Sequence, residues 1–351
     1  MTAAKPRVVV LRALGLGDLL TAIPALRGLR AAFGQARVTL AAPAVLAPLA
    51  ALSGAVDDVT DTGALYVGGV WARRQERLNG QGRPPGAAEP LDRALHGADV
   101  AVNLHGRGPQ SSRLLLATAP WRLIAFEHRD VPATRGLPRW HADEHEVARW
   151  CRLLAETGIP ADPGALGLPR PPVPSPRPGA VIIHPGAASA ARRWPPSRWA
   201  EVARALASSA GPGRLVVTGT AQERPLARRV AELAGLDAGG VLAGRTGLLQ
   251  LAALTADAAL VLSGDTGMAH LAAAYARPAV TLAGPVAPRL WGPPPRPWHR
   301  VLWAGRDGDP HADQPDPGLL ALSTAEVIAA ARAVHDATSC LAAARGRKAW
   351  G

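Results

Sequence analysis

Two short stretches combine polar side chains with glycine in a way that could do chemistry. Near the start, Arg12-Ala13-Leu14-Gly15-Leu16-Gly17-Asp18 places a carboxylate directly after a Gly-x-Gly pair. Far downstream, Leu262-Ser263-Gly264-Asp265-Thr266-Gly267-Met268-Ala269-His270 places an acid, a hydroxyl, a glycine and an imidazole within six residues. A helix N-terminus favours negative charge, so Asp18 at such a point either caps the helix or serves as a base for a hydroxyl proton. Gly15 and Gly17 would let a bulky polar substrate come close. In the second stretch Asp265 and Thr266 suit a helix cap, and Gly267 lacks the Cβ that would keep a phosphate or sugar off the backbone N–H groups. A capped helix start without any ligand fits the same residues.

Both stretches must be held by the elements around them. Arg7-Val8-Val9-Val10-Leu11 reads as a buried parallel strand, followed by an apolar helix to Phe33 in which Pro24 marks a kink or the start of the regular part. Ala258 to Leu262 reads as a strand and Met268 to Tyr275 as a helix, so the second stretch is again a strand-to-helix turn. In a parallel α/β sheet such turns lie at the carboxyl edge, where ligands bind. Asp99 to Leu104 is a third strand; it leads into His105-Gly106-Arg107-Gly108 and a helix from Gln110 to Ala117, which brings His105 and Arg107 to the edge that carries Asp18. Gly15-x-Gly17 is not a dinucleotide fingerprint, because Leu20 fills the third small position and no acid follows the second strand, Val38 to Ala42. No nicotinamide or flavin cofactor is expected.

The same alternation returns after Pro178, with strands at Ala180–Ile183, Arg214–Gly219 and Val241–Leu242 and helices at Ser197–Ser208, Gln222–Leu233 and Leu248–Thr255. The fold class is therefore α/β, with two doubly wound Rossmann-like domains. The expected boundaries are 1–160 for the first domain, 161–178 for a stiff proline-rich linker, 179–322 for the second domain and 323–351 for a terminal helix. Residues 67–90, rich in Gly, Pro and Arg, read as an irregular or mobile insertion. His141-Ala142-Asp143-Glu144-His145 spells H-x-x-E-H, but Pro138 and Trp140 put His141 ahead of the helix expected from Asp143 to Glu156, and a solvated helix start is favoured over a zinc site.

Composition narrows the classes. Lys+Arg number 39 against 27 Asp+Glu, a formal charge of +12, and Lys5 and Lys348 are the only lysines. That charge suits phosphorylated ligands, an anionic membrane surface or nucleic acid, although with so much Ala, Gly and Pro part of it reads as compositional drift. Aromatic residues are 4% and arginine is scattered through every segment, which argues against nucleic-acid binding, where basic and stacking residues cluster. Cys151 and Cys340 have no metal spacing and agree with a reducing cytoplasm. Neither a signal peptide nor a bilayer-spanning run is apparent, so a cytoplasmic protein is expected.

Taken together, Val8 to Pro24, His184 to Pro195 and Leu262 to Pro285 resemble glycosyltransferase family 9, the heptosyltransferase family. The shared features are a strand–Gly-Asp–helix start with a proline, His184-Pro185-Gly186-Ala187, Arg192-Arg193-Trp194-Pro195 in place of K-x-W-P, and Ser263-Gly264-Asp265-Thr266-Gly267-Met268-Ala269-His270. Gly219 with Glu223, the helix at Gly247–Leu254 and the closing Leu322 to Val327 follow in the family's order. The resemblance implies a GT-B architecture, with the two domains facing across a cleft, and inverting, metal-independent sugar transfer. Its donor is a nucleoside diphosphate sugar, ADP- or GDP-linked, and is a substrate rather than a cofactor.

Asp18 is then the catalytic base, with Gly15, Gly17, His105 and Arg107 forming the acceptor-side loop. The donor side comprises Ser189, Arg192, Glu223, Asp265, Thr266, Gly267 and His270, with Glu223 toward the ribose and Arg192 replacing a family lysine at the phosphates. Arginine keeps the charge but presents a planar fork. Asp307-Gly308-Asp309 spells a metal-binding D-x-D yet lies in a proline-rich loop and reads as a turn, so no metal is expected. The acceptor is expected to be a lipopolysaccharide core, another envelope glycan or glycolipid, or a small molecule. Ser323 to Glu326 is a capping box opening the last helix, which the GT-B fold would lay back on the first domain. The basic tail Arg345 to Lys348 reads as solvated charge or as a peripheral contact with the inner face of the membrane. A monomer is expected. The competing readings are a protein that binds a sugar nucleotide without turnover and a basic nucleic-acid or membrane adaptor, which would show salt-sensitive binding to polyanions and no nucleotide affinity.

Overall fold

The computed structural model describes residues 5–62, 91–211 and 213–348, leaving aside the side chains at 208, 209 and 338–348. The expected insertion at 67–90 and the side chains of the basic tail lie outside the described residues. The chain divides into two compact units, Met1–Leu166 and Gly167–Gly351.

The first unit is built on five parallel strands: β1 (Arg7–Leu11), β2 (Arg37–Ala42), β3 (Asp58–Asp61), β4 (Val100–Asn103) and β5 (Arg122–Ile124), in the order β3-β2-β1-β4-β5. Val8, Val9, Val10 and Leu11 are almost wholly buried, as expected for a central parallel strand covered on both faces. Burying each such side chain contributes about 1.5–3 kcal/mol. β3 escapes a reading by hydrophobic runs because Asp-Val-Thr-Asp is a short edge strand with acids at both ends. Those acids are used locally. Arg37 Nε donates to Asp58 at 2.6 Å, and the neighbouring Asp57 accepts from Arg30 and from the Val38 N–H, which hold its carboxyl below the usual range although burial pushes it up.

The helix Leu16–Ala32 continues through Pro24 and packs against the helix Glu146–Glu156. At Gly28 a Cβ would come within 2.8 Å of the Pro160 carbonyl oxygen and of the Ala161 Cβ, so the glycine permits a close backbone crossing. The second helix begins at Glu146, not at Asp143. His145 is its N-cap, with Nδ1 accepting from the Val147 N–H at 3.2 Å, and Glu144 pairs with Arg152 through two 2.8 Å bonds. The H-x-x-E-H spelling therefore falls in a loop and a cap.

The second unit holds β6 (Val181–His184), β7 (Leu215–Val217), β8 (Leu260–Gly264), β9 (Ala279–Leu282) and β10 (His299–Leu302), parallel and in the order β10-β9-β8-β6-β7. Val241 adds a parallel bridge to Val217 beyond β7. Its core runs from Val181, Ile183, Leu260 and Leu262 to Trp194 and Trp199, whose rings meet edge-on at 5.2 Å. Residues 167–178 are not a free strut. Leu168 N–H donates to the Ala274 carbonyl, Arg170 pairs with Asp257 and Arg177 donates to the Gly239 carbonyl, all within this unit.

The last helix, Thr324–Lys348, opens with the expected capping box, Ser323 Oγ lying 2.7 Å from Glu326 Oε2. Its first turns bury Val327, Ala330, Ala331 and Val334 in the core of the second unit. No helix among the described residues is long and apolar enough to cross a membrane.

Candidate functional site

Strand order places the two loops of interest before any side chain is considered. In each unit the order in which successive strands are laid down reverses once, between β1 and β4 and between β6 and β8. Such a switch point leaves a crevice at the carboxyl ends of the two strands. In the first unit it is flanked by Arg12 to Gly15 and by Leu104 to Arg107; in the second, by Pro185 to Arg192 and by Asp265 to Thr266.

Gly15 is the N-cap of the Leu16–Ala32 helix, and Asp18, in the first turn, folds back so that Oδ2 accepts from the Gly15 N–H at 3.1 Å. Asp18 is thus a capping acid as well as a candidate base, and its side chain keeps 26% exposure. The other oxygen, Oδ1, lies 3.3 Å from Arg12 Nη2. Arg12 itself is 1% exposed. Its Nη2 also faces Glu146 Oε1 at 2.9 Å and Thr21 Oγ1 at 3.2 Å, its Nε donates to the Asp18 carbonyl at 3.0 Å, its Nη1 donates to the Leu104 carbonyl, and its guanidinium carbon sits 4.9 Å from the centre of the Trp150 ring.

Glu146 completes the cluster by accepting from Trp150 Nε1 at 2.9 Å and from Arg149, which stacks on Trp140. Across the switch point, Asn103 Oδ1 accepts from the His105 N–H while Nδ2 donates to Ser111 and Ser112, fixing the loop that carries His105 and the exposed Arg107. Cys151, one residue beyond Trp150, is pushed up to about 12 by burial and is no nucleophile at neutral pH.

The second unit assembles its loop as expected from the residues. β8 ends at Gly264, Thr266 is the N-cap of the helix Gly267–Ala274, and its hydroxyl accepts from the Met268 N–H at 3.3 Å. Asp265 is 7% exposed; burial pushes its carboxyl up to about 6 against the opposing charge of Arg192. Of the two adjacent arginines, Arg193 is spent on the Ala187 carbonyl through bonds of 3.0 and 2.9 Å. Arg192 remains beside Asp265, its carbonyl oxygen 3.2 Å from where a Cβ on Gly264 would lie. Buried polar atoms with no hydrogen-bond partner collect in these loops and their strand, namely Ser189 Oγ, Arg192 Nε and Ser263 Oγ. Such atoms normally find partners, so a polar ligand would satisfy them.

Glu223, the N-cap residue of the helix Arg224–Ala234, turns its carboxylate onto the Thr220 N–H at 2.8 Å and hydroxyl at 3.0 Å. It also occupies the volume that a Cβ on Gly186 would need. His184 Nδ1 meets Thr218 Oγ1 at 3.0 Å, and burial holds the imidazole below its ordinary value while the charge of Glu223 opposes that shift. His270 is buried and packs edge-on against Trp291 at 5.5 Å. Asp307-Gly308-Asp309 is irregular rather than a turn, with the Gly308 N–H donating to the Pro285 carbonyl; the turn follows at 310–311, where Asp309 Oδ1 accepts from the His311 N–H.

The structure therefore groups Arg192 with Asp265, and Gly186 with Glu223 and His184. It places Ser189 and His270 on neighbouring elements of the same unit. Gly15, Gly17, Asp18, His105 and Arg107 share the edge of the first unit. Sequence reasoning missed Arg12, Glu146 and Asn103 as parts of this arrangement. Arg12 and Glu146 are 134 residues apart, and neither carries a motif. The one available sign was a charged residue directly after the apolar run Val8 to Leu11.

A model of glycosyltransferase family 9 (heptosyltransferase) matches residues 121–316. No curated protein gives a significant match. Among solved structures, the glycosyl transferase family 9 protein from Veillonella parvula DSM 2008 is 19% identical, with 95% of this chain and 98% of that chain covered and a TM-score of 0.68. The E. coli ADP-heptose LPS heptosyltransferase II is 20% identical, with 94% and 98% covered and a TM-score of 0.69. The E. coli heptosyltransferase WaaC with ADP-2-deoxy-2-fluoro heptose is 22% identical, with 92% and 97% covered and a TM-score of 0.62. At these identities the structural likeness is one of fold. The family match takes in more than half of the sequence, and on that ground the chain belongs to glycosyltransferase family 9, the heptosyltransferase family, and is a glycosyltransferase.

Proposed function

We propose that this chain carries out inverting, metal-independent transfer of a heptose-like sugar from a nucleoside diphosphate donor, ADP- or GDP-linked, to a hydroxyl of a cell-envelope glycan. The reading is supported by what each unit holds separately: in the first, Asp18, a carboxylate held at Oδ2 by the Gly15 N–H and still 26% exposed, and in the second, the buried unpartnered Ser189 Oγ and Arg192 Nε in the loop beside Asp265. In a single displacement the acceptor oxygen bonds to the anomeric carbon as the bond to the diphosphate breaks. Asp18 takes the hydroxyl proton, and the diphosphate leaves with the bonding electrons. Arg192 and the start of the Gly267–Ala274 helix suit the negative charge that develops there, and Glu223 suits two ribose hydroxyls.

A thermal-shift panel of ADP, GDP, UDP and their sugars tests the donor. A nucleotide at about 100 times its Kd raises stability by about 2.7 kcal/mol, and ADP or GDP is expected to do so. Turnover of ADP-heptose on lipopolysaccharide lacking heptose is expected to persist in chelator, and its loss there would refute metal independence. Nucleotide binding without transfer to any acceptor hydroxyl would instead favour the non-catalytic sugar-nucleotide-binding reading.

A further inference from the structure

We infer that Arg12, anchored by Glu146, is a positioning residue that aims the Asp18 carboxylate and limits how tightly it is paired; the inference rests on the reading of Asp18 as the base. Removing a guanidinium from water costs several kcal/mol, and a buried ion pair seldom stabilises a fold better than apolar side chains of the same volume. Yet Arg12 is 1% exposed, in the core behind the loop after β1, where a leucine or methionine would pack more cheaply. Its contacts indicate a different use. Nη2 has two hydrogens and faces three oxygens: Glu146 Oε1 at 2.9 Å, Thr21 Oγ1 at 3.2 Å and Asp18 Oδ1 at 3.3 Å. Glu146 holds the shortest of these and Asp18 the longest.

The sharing has a consequence for a base. A carboxylate bound by a whole guanidinium face is oriented but reluctant to accept a proton, whereas an unheld carboxylate is basic but samples several rotamers. Asp18 is oriented by two separate partners. One oxygen is fixed by the Gly15 N–H at 3.1 Å, and the other is steered by an arginine whose closest partner is elsewhere. Glu146 can hold Arg12 because it is itself held, by Trp150 Nε1 at 2.9 Å and by Arg149. The charged and titratable groups on the described elements around Asp18 are Arg12 on its own loop, Glu146 and Arg149 on the helix Glu146–Glu156, and His105 and Arg107 on the loop after β4. Arg12 reaches an Asp18 carboxylate oxygen at 3.3 Å.

Two measurements test the assignment. The first needs no substrate. Crystal structures of Glu146→Gln and Arg12→Lys are expected to move the Asp18 carboxylate, drawing Arg12 Nη2 closer than 3.3 Å to Oδ1 in the first and releasing Oδ1 in the second. An Asp18 carboxylate unchanged in both variants would overturn the inference. The second measurement follows transfer from ADP-heptose to lipopolysaccharide lacking heptose. Both variants are expected to lose roughly tenfold or more in kcat while KM for ADP-heptose stays within about threefold, and neither is expected to reduce the residual turnover of Asp18→Asn any further. Wild-type kcat in both variants, or an undiminished loss in the Asp18→Asn background, would overturn the positioning role. Wild-type turnover in Asp18→Asn would instead overturn the base itself, so the two failures are distinguishable.

Discussion

Asp265→Asn should make the second unit more stable at neutral pH while weakening donor binding. The carboxyl of Asp265 is pushed up to about 6 by burial, against an ordinary value of 3.8 that the unfolded chain recovers, with Arg192 supplying the opposing charge. Between about pH 4 and 6 the folded chain therefore binds more protons than the unfolded one, and stability falls as the pH rises through that window. A shift of about 2 units at 1.36 kcal/mol each amounts to a loss of about 3 kcal/mol, complete above about pH 6 and absent below about pH 4. Asparagine has nearly the same shape and no charge to bury, so it escapes the penalty.

Calorimetry of the second unit's transition should show wild type and Asp265→Asn nearly equal at pH 4. By pH 8 the variant should lie higher by up to about 3 kcal/mol, or roughly 6–12 °C for a domain of this size. A gap that does not change with pH, or a variant less stable at pH 8, would refute the reasoning. A loss of ADP or GDP affinity accompanying the gain in stability would identify Asp265 as a site residue retained at a cost.

Asp18→Asn should lower turnover by about 10²- to 10⁴-fold and leave nucleotide binding unchanged in a thermal-shift titration. Gly186→Ala puts a methyl group where the Glu223 carboxylate lies, and since that side chain can rotate away, the protein should fold normally but bind ADP or GDP about tenfold more weakly, about 1.4 kcal/mol by calorimetric titration. Gly28→Ala meets backbone rather than a side-chain tip, at 2.8 Å from the Pro160 carbonyl oxygen, and should cost the first unit about 1–3 kcal/mol by urea denaturation with its m-value unchanged.

Several parts of this protein were legible in the order of its residues. Central parallel strands are buried on both faces, so Val8 to Leu11 and Leu260 to Leu262 stand out as unbroken apolar runs, and the Gly-rich turns after them announce helix starts. Strands at the sheet edges are less visible. Asp58–Asp61 and His299–Leu302 are short, part polar and only partly buried, and the sequence reading passed over them along with the buried Ala279–Leu282, which follows a helix so closely that its run merges with its surroundings.

Motif residues such as Asp18, Asp265 and Thr266 were found because capping and anion binding are local, requiring a residue type within three or four positions of a helix start. Sequence alone therefore determined the fold class, the two strand-to-helix turns and the family resemblance. Tertiary structure decided which charges serve those turns. The anchoring of Arg12 by Glu146, the commitment of Arg193 rather than Arg192 to the Ala187 carbonyl, and the seat of Glu223 over Gly186 all depend on strand order and close packing. Contacts of that kind join residues distant in the chain, and neither periodicity nor motif spacing records them.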